Sequence, residues 1–183
     1  MAPQGNTQWI CTNLSKKGQE NDKEKGLGGL PRWTSISKFG GKFKIGFVGI
    51  AEREWIDTLD PETFGCETVY ENYKRKADEV ATMLRKEKGC HFVIAVTHMR
   101  VDHDLSLAKF SREIDLVLGG HDHFYHAAAV KPQSFYTPER EKVNLVVKSG
   151  SDFEDLSIVN VTLNSDGRPV DSDFAPKDTK KKE

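Results

Sequence analysis

Half of the six histidines in this chain of 183 residues, His121, His123 and His126, fall within one stretch, "IDLVLGGHDHFYH". Two more, His98 and His103, sit a short way upstream, behind a second apolar run, "HFVIAVTH". Neutral imidazole suits zinc, manganese, iron or nickel. His121 and His123 are two apart, so in a locally extended loop both side chains project to one side and Asp122, between them, faces away. Gly119 and Gly120 let the backbone turn sharply just before them. A single histidine here reads most simply as a polar loop residue or a turn cap. "GGHDH" alone leaves the choice open, and His98 at the end of the preceding strand turns the reading toward a metal site of His98, His121 and His123.

Other reactive side chains carry less. Asp102 and Asp104 flank His103 in "RVDHDL" and could supply a ligand or a substrate contact, although Asp104 reads more simply as the cap of the next helix. His126, after Phe124 and Tyr125, reads as structural, and His91 as a strand-edge residue. Ser149 in "KSGSDF" lacks the GxSxG elbow and is set aside as a nucleophile. Arg100, close behind His98, could grip a phosphate through its fork of donors or form a surface salt bridge. Cys11, Cys66 and Cys90 are odd in number and widely spaced, as buried thiols in a reducing compartment would be.

The elements that must position these residues are legible from periodicity. "HFVIAV" and "IDLVL" read as buried strands, with a short helix around "DLSLAKFSRE" between them. From Glu67 to Lys88 the apolar residues Tyr70, Tyr73, Ala77, Val80, Ala81 and Leu84 recur at helical steps, with Gly89 as the stop signal. "RWTSISKFGGKFKIGFVGI" predicts a hairpin through Gly40 and Gly41. "QWICTNL" reads as a strand that Asn13 begins to break. "SKKGQENDKEKGLGGLP" reads as a solvated, mobile connection, and "AEREWIDTLDPETFG" as irregular, with a turn at Asp60 and Pro61. "HAAAV", "VNLVVKS" and "LSIVNVTL" are three further strand candidates. The strand and helix alternation predicts an α/β domain, in which ligands bind beyond the carboxyl ends of the strands. Both histidine groups stand there.

Composition sets the outer bounds. Hydrophobic residues make up 37% and charged residues 30%, a globular mixture sufficient for one domain at this length. The net charge of −1 offers no global field for nucleic acid or an anionic membrane. No signal-peptide pattern opens the chain, and no run approaches about 20 apolar residues. A cytoplasmic protein is the expectation.

Four segments, "WICTNL", "KFKIGFVGIAEREW", "VIAVTHMR" with "DLVLGGHDH", and "VKSGSDFEDLSIVNV", come in an order that resembles the calcineurin-like metallophosphoesterases, within them the 5′-nucleotidase branch. The resemblance runs from Trp9 to Thr162. It implies a partial four-layer α/β/β/α sandwich over residues 8–165; the rest, 166–183, reads from its polar composition as a disordered tail. The resemblance also implies two divalent ions of the zinc, manganese, iron, nickel or magnesium type, and small phosphate-ester substrates such as nucleoside 5′-monophosphates. By the same resemblance His98 and His121 are ligands of one ion and His123 is a ligand of the other.

The family's D-x-H, G-D-x-x-D and G-N-H-[DE] motifs do not occur before His98. Three imidazoles without a bridging carboxylate do not offset the repulsion between two cations about 4 Å apart. An incomplete domain is therefore expected, holding at most about one ion, inactive by itself and self-associating through an exposed sheet edge. The alternative is a non-catalytic metal-binding or interaction module derived from that fold.

Overall fold

The computed structural model describes residues 7–58, 67–133 and 143–164. The expected turn at Asp60 and Pro61, Cys66, most of the insert "KPQSFYTPEREK" and the tail over 166–183 lie outside the described residues.

The hairpin forms as its sequence predicts: β2 (Trp33–Lys38) and β3 (Phe43–Ala51) pair antiparallel around Gly40 and Gly41, both at positive φ. The two apolar runs become β5 (Phe92–His98) and β6 (Leu116–Gly119). With β7 (Tyr125–Val130) and β8 (Asn144–Ser149) they complete a six-stranded sheet of order β2-β3-β5-β6-β8-β7. The inner four strands run parallel and the two edges antiparallel.

A short helix α1 (Arg53–Asp57) forms within the stretch expected to be irregular, and helix α2 covers Tyr73–Lys86, a shorter span than the periodicity predicts. Asn72 caps α2 by accepting the Arg75 N–H at 3.2 Å, and Gly89 at φ 68° stands just beyond its end. The preceding Thr68–Tyr70 form β4 instead, paired with β1 (Leu14–Lys16); β-branched and aromatic residues there take the strand once a partner is present. Ala77, Ala81 and Leu84 of α2 are fully buried. They pack with Leu107 and Ala108 of α3 (Val101–Phe110) on the sheet face formed by Val48, Val93, Ala95, Val117 and Val146. The opposite face carries Phe43, Phe92, Leu116 and Val147, with Val159 and Leu163 packed on them. Ile36 and Val96, on that second face by alternation, remain exposed. The described residues thus supply a six-stranded sheet with one helical layer, and the separate β1-β4 pair.

Three sequence expectations need correction. Trp9–Asn13 are not a strand: their backbone bonds go to separate segments, Cys11 N–H to the Pro31 carbonyl and Thr12 N–H to the Gly49 carbonyl, and form no continuous ladder. Asn13 donates to the Ala51 carbonyl at 2.8 Å and accepts the Ala51 N–H at 3.0 Å. The glycine-bearing connection after it is tied down by Arg32, which is fully buried, pairs with Glu71 at 2.8 Å and donates to the Asp22 carbonyl at 2.6 Å. "LSIVNVTL" forms no strand among the described residues: Leu163 makes an isolated bridge, and Leu156 and Ile158 stand exposed.

Candidate metal centre

Three adjacent parallel strands end together. Ala51 of β3 pairs in register with His98, the last residue of β5, and Gly119 closes β6 beside Thr97. The chain leaves each strand with a backbone bond to its neighbour: Glu52 N–H donates to the His98 carbonyl at 3.3 Å, and Gly120 N–H to the Thr97 carbonyl at 2.8 Å. Glu52, His98 and His121 are brought to one place by this register. His121 adopts φ 76°, a left-handed conformation that few non-glycine residues take.

His121 Nδ1 lies 3.3 Å from His98 Nε2, with the rings edge to face and their centroids 5.1 Å apart. Two nitrogens bound to one tetrahedral ion at about 2.0–2.1 Å stand about 3.3 Å apart, so the pair fits a shared ion. Trp55 covers His98 with its ring 5.3 Å away. Burial, and His121 beside it, push the His98 imidazole below its ordinary range, which favours the neutral ligand form.

Glu52 stands behind this pair and its side chain is 1% exposed. Its Oε2 accepts the Arg100 N–H at 3.0 Å and lies 2.7 Å from His103 Nδ1. Its Oε1 is 3.6 Å from Arg100 Nε and 3.9 Å from His121 Nε2, with no hydrogen-bond partner among the described residues. Burial works to raise its carboxyl, but the Arg100 N–H, His103 and the Arg100 guanidinium outweigh burial and hold it below its ordinary value. Ligand atoms of Glu52, Glu54 and His103 lie within 4.8 Å of one another.

Below the histidine loops sits Lys148 of β8, fully buried. Its ammonium donates to the Met99 carbonyl at 2.7 Å and to the Gly120 carbonyl, the residues next to His98 and His121. It also pairs with Asp104 at 2.7 Å and Asp122 at 3.1 Å. Three ammonium protons cannot serve four acceptors fully, so the two carboxylates share what the carbonyls leave. Burial raises the Asp104 carboxyl, against the opposing bonds from Lys148 and Thr97. A Cβ on Gly119 would stand 2.4 Å from Asp104 Oδ2, which explains a glycine at that position.

His98 and His121 therefore meet as their spacing suggests. His123 is exposed on the following loop, and no contact among the described residues ties it to that pair. Asp122 pairs with Lys148 at 3.1 Å, and the left-handed φ of His121 departs from the extended loop that same-side projection of His121 and His123 assumes. Asp104 is not the helix cap, because Arg100 holds that position and Asp104 lies inside α3, bonded to Thr97 Oγ1 at 2.6 Å. Arg100 is half exposed and paired with Glu52. His91 exchanges bonds with Lys44 at the sheet rim, His126 lies in β7 opposite Lys148, and Ser149 donates to Ser157. Cys11 and Cys90 are free thiols, both pushed up by burial.

Glu52 and Lys148 were not singled out in the sequence, and each carries a signal. Lys148 is a lone charge inside an apolar strand run and Glu52 is the first residue after one, places where charged side chains are rarely buried unless paired.

No protein-family profile matches the chain. A trifunctional nucleotide phosphoesterase of Bacillus subtilis is 30% identical over 80 residues, 44% of this chain and 5% of that protein. Among solved structures, a 5′-nucleotidase precursor from Thermus thermophilus superposes with TM-score 0.63 at 17% identity, over 90% of this chain and 32% of that one. The NAD nucleotidase of Haemophilus influenzae gives 0.62 at 14%, over 80% of this chain and 29% of that one. The sulfate thiohydrolase SoxB of Thermus thermophilus gives 0.57 at 19%, over 80% and 23%. The chain thus spans a third or less of each relative. With its mixed six-stranded sheet and these likenesses, the chain shares the fold of the corresponding part of these 5′-nucleotidase and NAD nucleotidase structures.

Proposed function

We propose that the chain is the carboxyl-terminal part of a 5′-nucleotidase-like, metal-dependent phosphoesterase domain, whose intact form hydrolyses phosphate monoesters such as nucleoside 5′-monophosphates. The observation that carries this reading is the 3.3 Å approach of His98 Nε2 to His121 Nδ1 at the carboxyl ends of adjacent parallel strands. These two nitrogens would hold one ion, and His123 would serve a second in the intact domain. A bound divalent ion polarises a phosphoryl oxygen and makes hydroxide available near neutral pH. The chain's own contribution is placement. Lys148 fixes the backbone on either side of the two histidines, and Arg100, half exposed at the start of α3, offers guanidinium donors to a phosphate at the same rim.

With no carboxylate among the described residues bridging the two imidazole positions, the chain by itself is expected to bind about one zinc or manganese ion. It is expected not to turn over AMP or p-nitrophenyl phosphate. Metal analysis and a phosphatase assay on one preparation test both statements. His121→Ala should abolish the bound ion. Robust hydrolysis lost in His121→Ala would overturn the inactive-fragment reading, and an unchanged metal content in the His98→Ala, His121→Ala double variant would overturn the metal centre itself.

A further inference from the structure

We propose that Glu52 is the positioning carboxylate of this centre: by accepting the Nε2–H of His121 it fixes the tautomer that turns Nδ1 toward the ion shared with His98. The inference rests on the metal-centre reading and assigns it a residue that neither the histidine spacing nor the family motifs name.

The two nitrogens of His121 leave opposite edges of its ring. Nδ1 faces His98 Nε2 at 3.3 Å and Nε2 faces Glu52 Oε1 at 3.9 Å. A neutral imidazole carries one proton, so one nitrogen donates and only the other can ligate. An ion between the two histidines lies on the ring edge away from Glu52, so this carboxylate acts through His121 and does not ligate that ion. Carboxylates in this relation to a ligand histidine orient the ring and raise its basicity.

Glu52 is built to hold still. Its backbone N–H is bonded to the His98 carbonyl. Its Oε2 is occupied by the Arg100 N–H and by His103, and its side chain is buried. Oε1 alone is left without a bond, and a buried carboxylate oxygen without a donor is unfavourable. The cations and donors that face it are the Arg100 guanidinium, His103 and His121, with the Glu54 carboxylate nearby. A ring movement of about 1 Å brings Nε2 to hydrogen-bond distance. The carboxylate cannot make that movement, because strand β3 and helix α3 both pin it.

The test uses the full chain, titrated with Co²⁺ and followed by its visible absorption, with ring ¹⁵N NMR for the tautomer. In the native chain His121 is expected as the Nε2–H form. In Glu52→Gln the Arg100 N–H keeps the amide oxygen and turns the NH₂ toward His121, which favours the Nδ1–H form. Co²⁺ affinity should then fall about 10- to 100-fold, with Glu52→Asp recovering part of it and circular dichroism confirming that each variant folds. Unchanged affinity and tautomer in Glu52→Gln would sink the Glu52 assignment while leaving the histidine centre intact. A native chain that binds no Co²⁺, yet shows an Nε2–H His121 that depends on Glu52, would uphold the assignment and end the metal reading. Loss of Co²⁺ with Glu54→Gln but not with His98→Ala would place the cation at Glu52, Glu54 and His103 and overturn the proposal.

Discussion

Two buried charges, Glu52 and Lys148, do more to shape the candidate centre than the histidines that first mark it. Lys148 reaches the carbonyls beside both His98 and His121 and is flanked by Asp104 and Asp122. Lys148→Met removes the ammonium and leaves two buried carboxylates without their counter-charge. Breaking such a group costs about 3–5 kcal/mol, measurable as a lowered urea midpoint. Asp104→Asn in the Lys148→Met background should recover part of that loss, since the two sites are coupled. Glu52 predicts a pH dependence. Its folded carboxyl lies below its ordinary value of 4.5, so the folded state binds its proton later than the unfolded chain does. The stability it contributes is present above that value and is lost as pH falls through the lower folded one. Thermal melts across this acid window should therefore fall less steeply for Glu52→Gln than for the native chain.

At the scale of elements, the register of β3, β5 and β6 decides which side chains meet. A one-residue slip would carry the residues of a strand to the opposite face, and the tight seat of Gly119 against Asp104 and Lys148 resists it. Gly119→Ala would force a Cβ to within 2.4 Å of the Asp104 carboxylate. Overpacking at a buried, pinned group costs about 1–3 kcal/mol. The variant should unfold earlier in denaturant, and its His98 and His121 ring resonances should shift, because Gly120 and His121 come directly after it. The hairpin, the central strands and α2 were legible in the sequence because their apolar spacing has one period each. β1 and β4 were not, since three-residue strands carry too little pattern and exist only through each other.

Across the whole molecule, the two sheet faces differ. One is sealed by α2 and α3, while the other is covered in part by Val159 and Leu163. Ile36 and Val96 on that second face are exposed, as are Leu156 and Ile158 along the segment that crosses it. Exposed apolar patches of this kind mark association surfaces. The purified chain is expected to self-associate with concentration in sedimentation velocity, and Leu156→Ser with Ile158→Ser to shift it toward monomer; a monomer at all concentrations would contradict this. No helix among the described residues is long and apolar enough to cross a membrane.

The sequence by itself determined the α/β class, the hairpin, the main helix and the proximity of His98 to His121. Apolar periodicity dictates which residues become strands, and parallel strands deliver their carboxyl-terminal loops to one end of the sheet. Only the tertiary structure decided that Asp104 is a buried ion-pair partner inside a helix. It alone brought Glu52 and Lys148 from distant strands to hold the histidine loops. These outcomes depend on register and burial between segments 48 to 51 residues apart, which no local pattern encodes. They also depend on the requirement that a buried charge find its partner wherever the chain brings one.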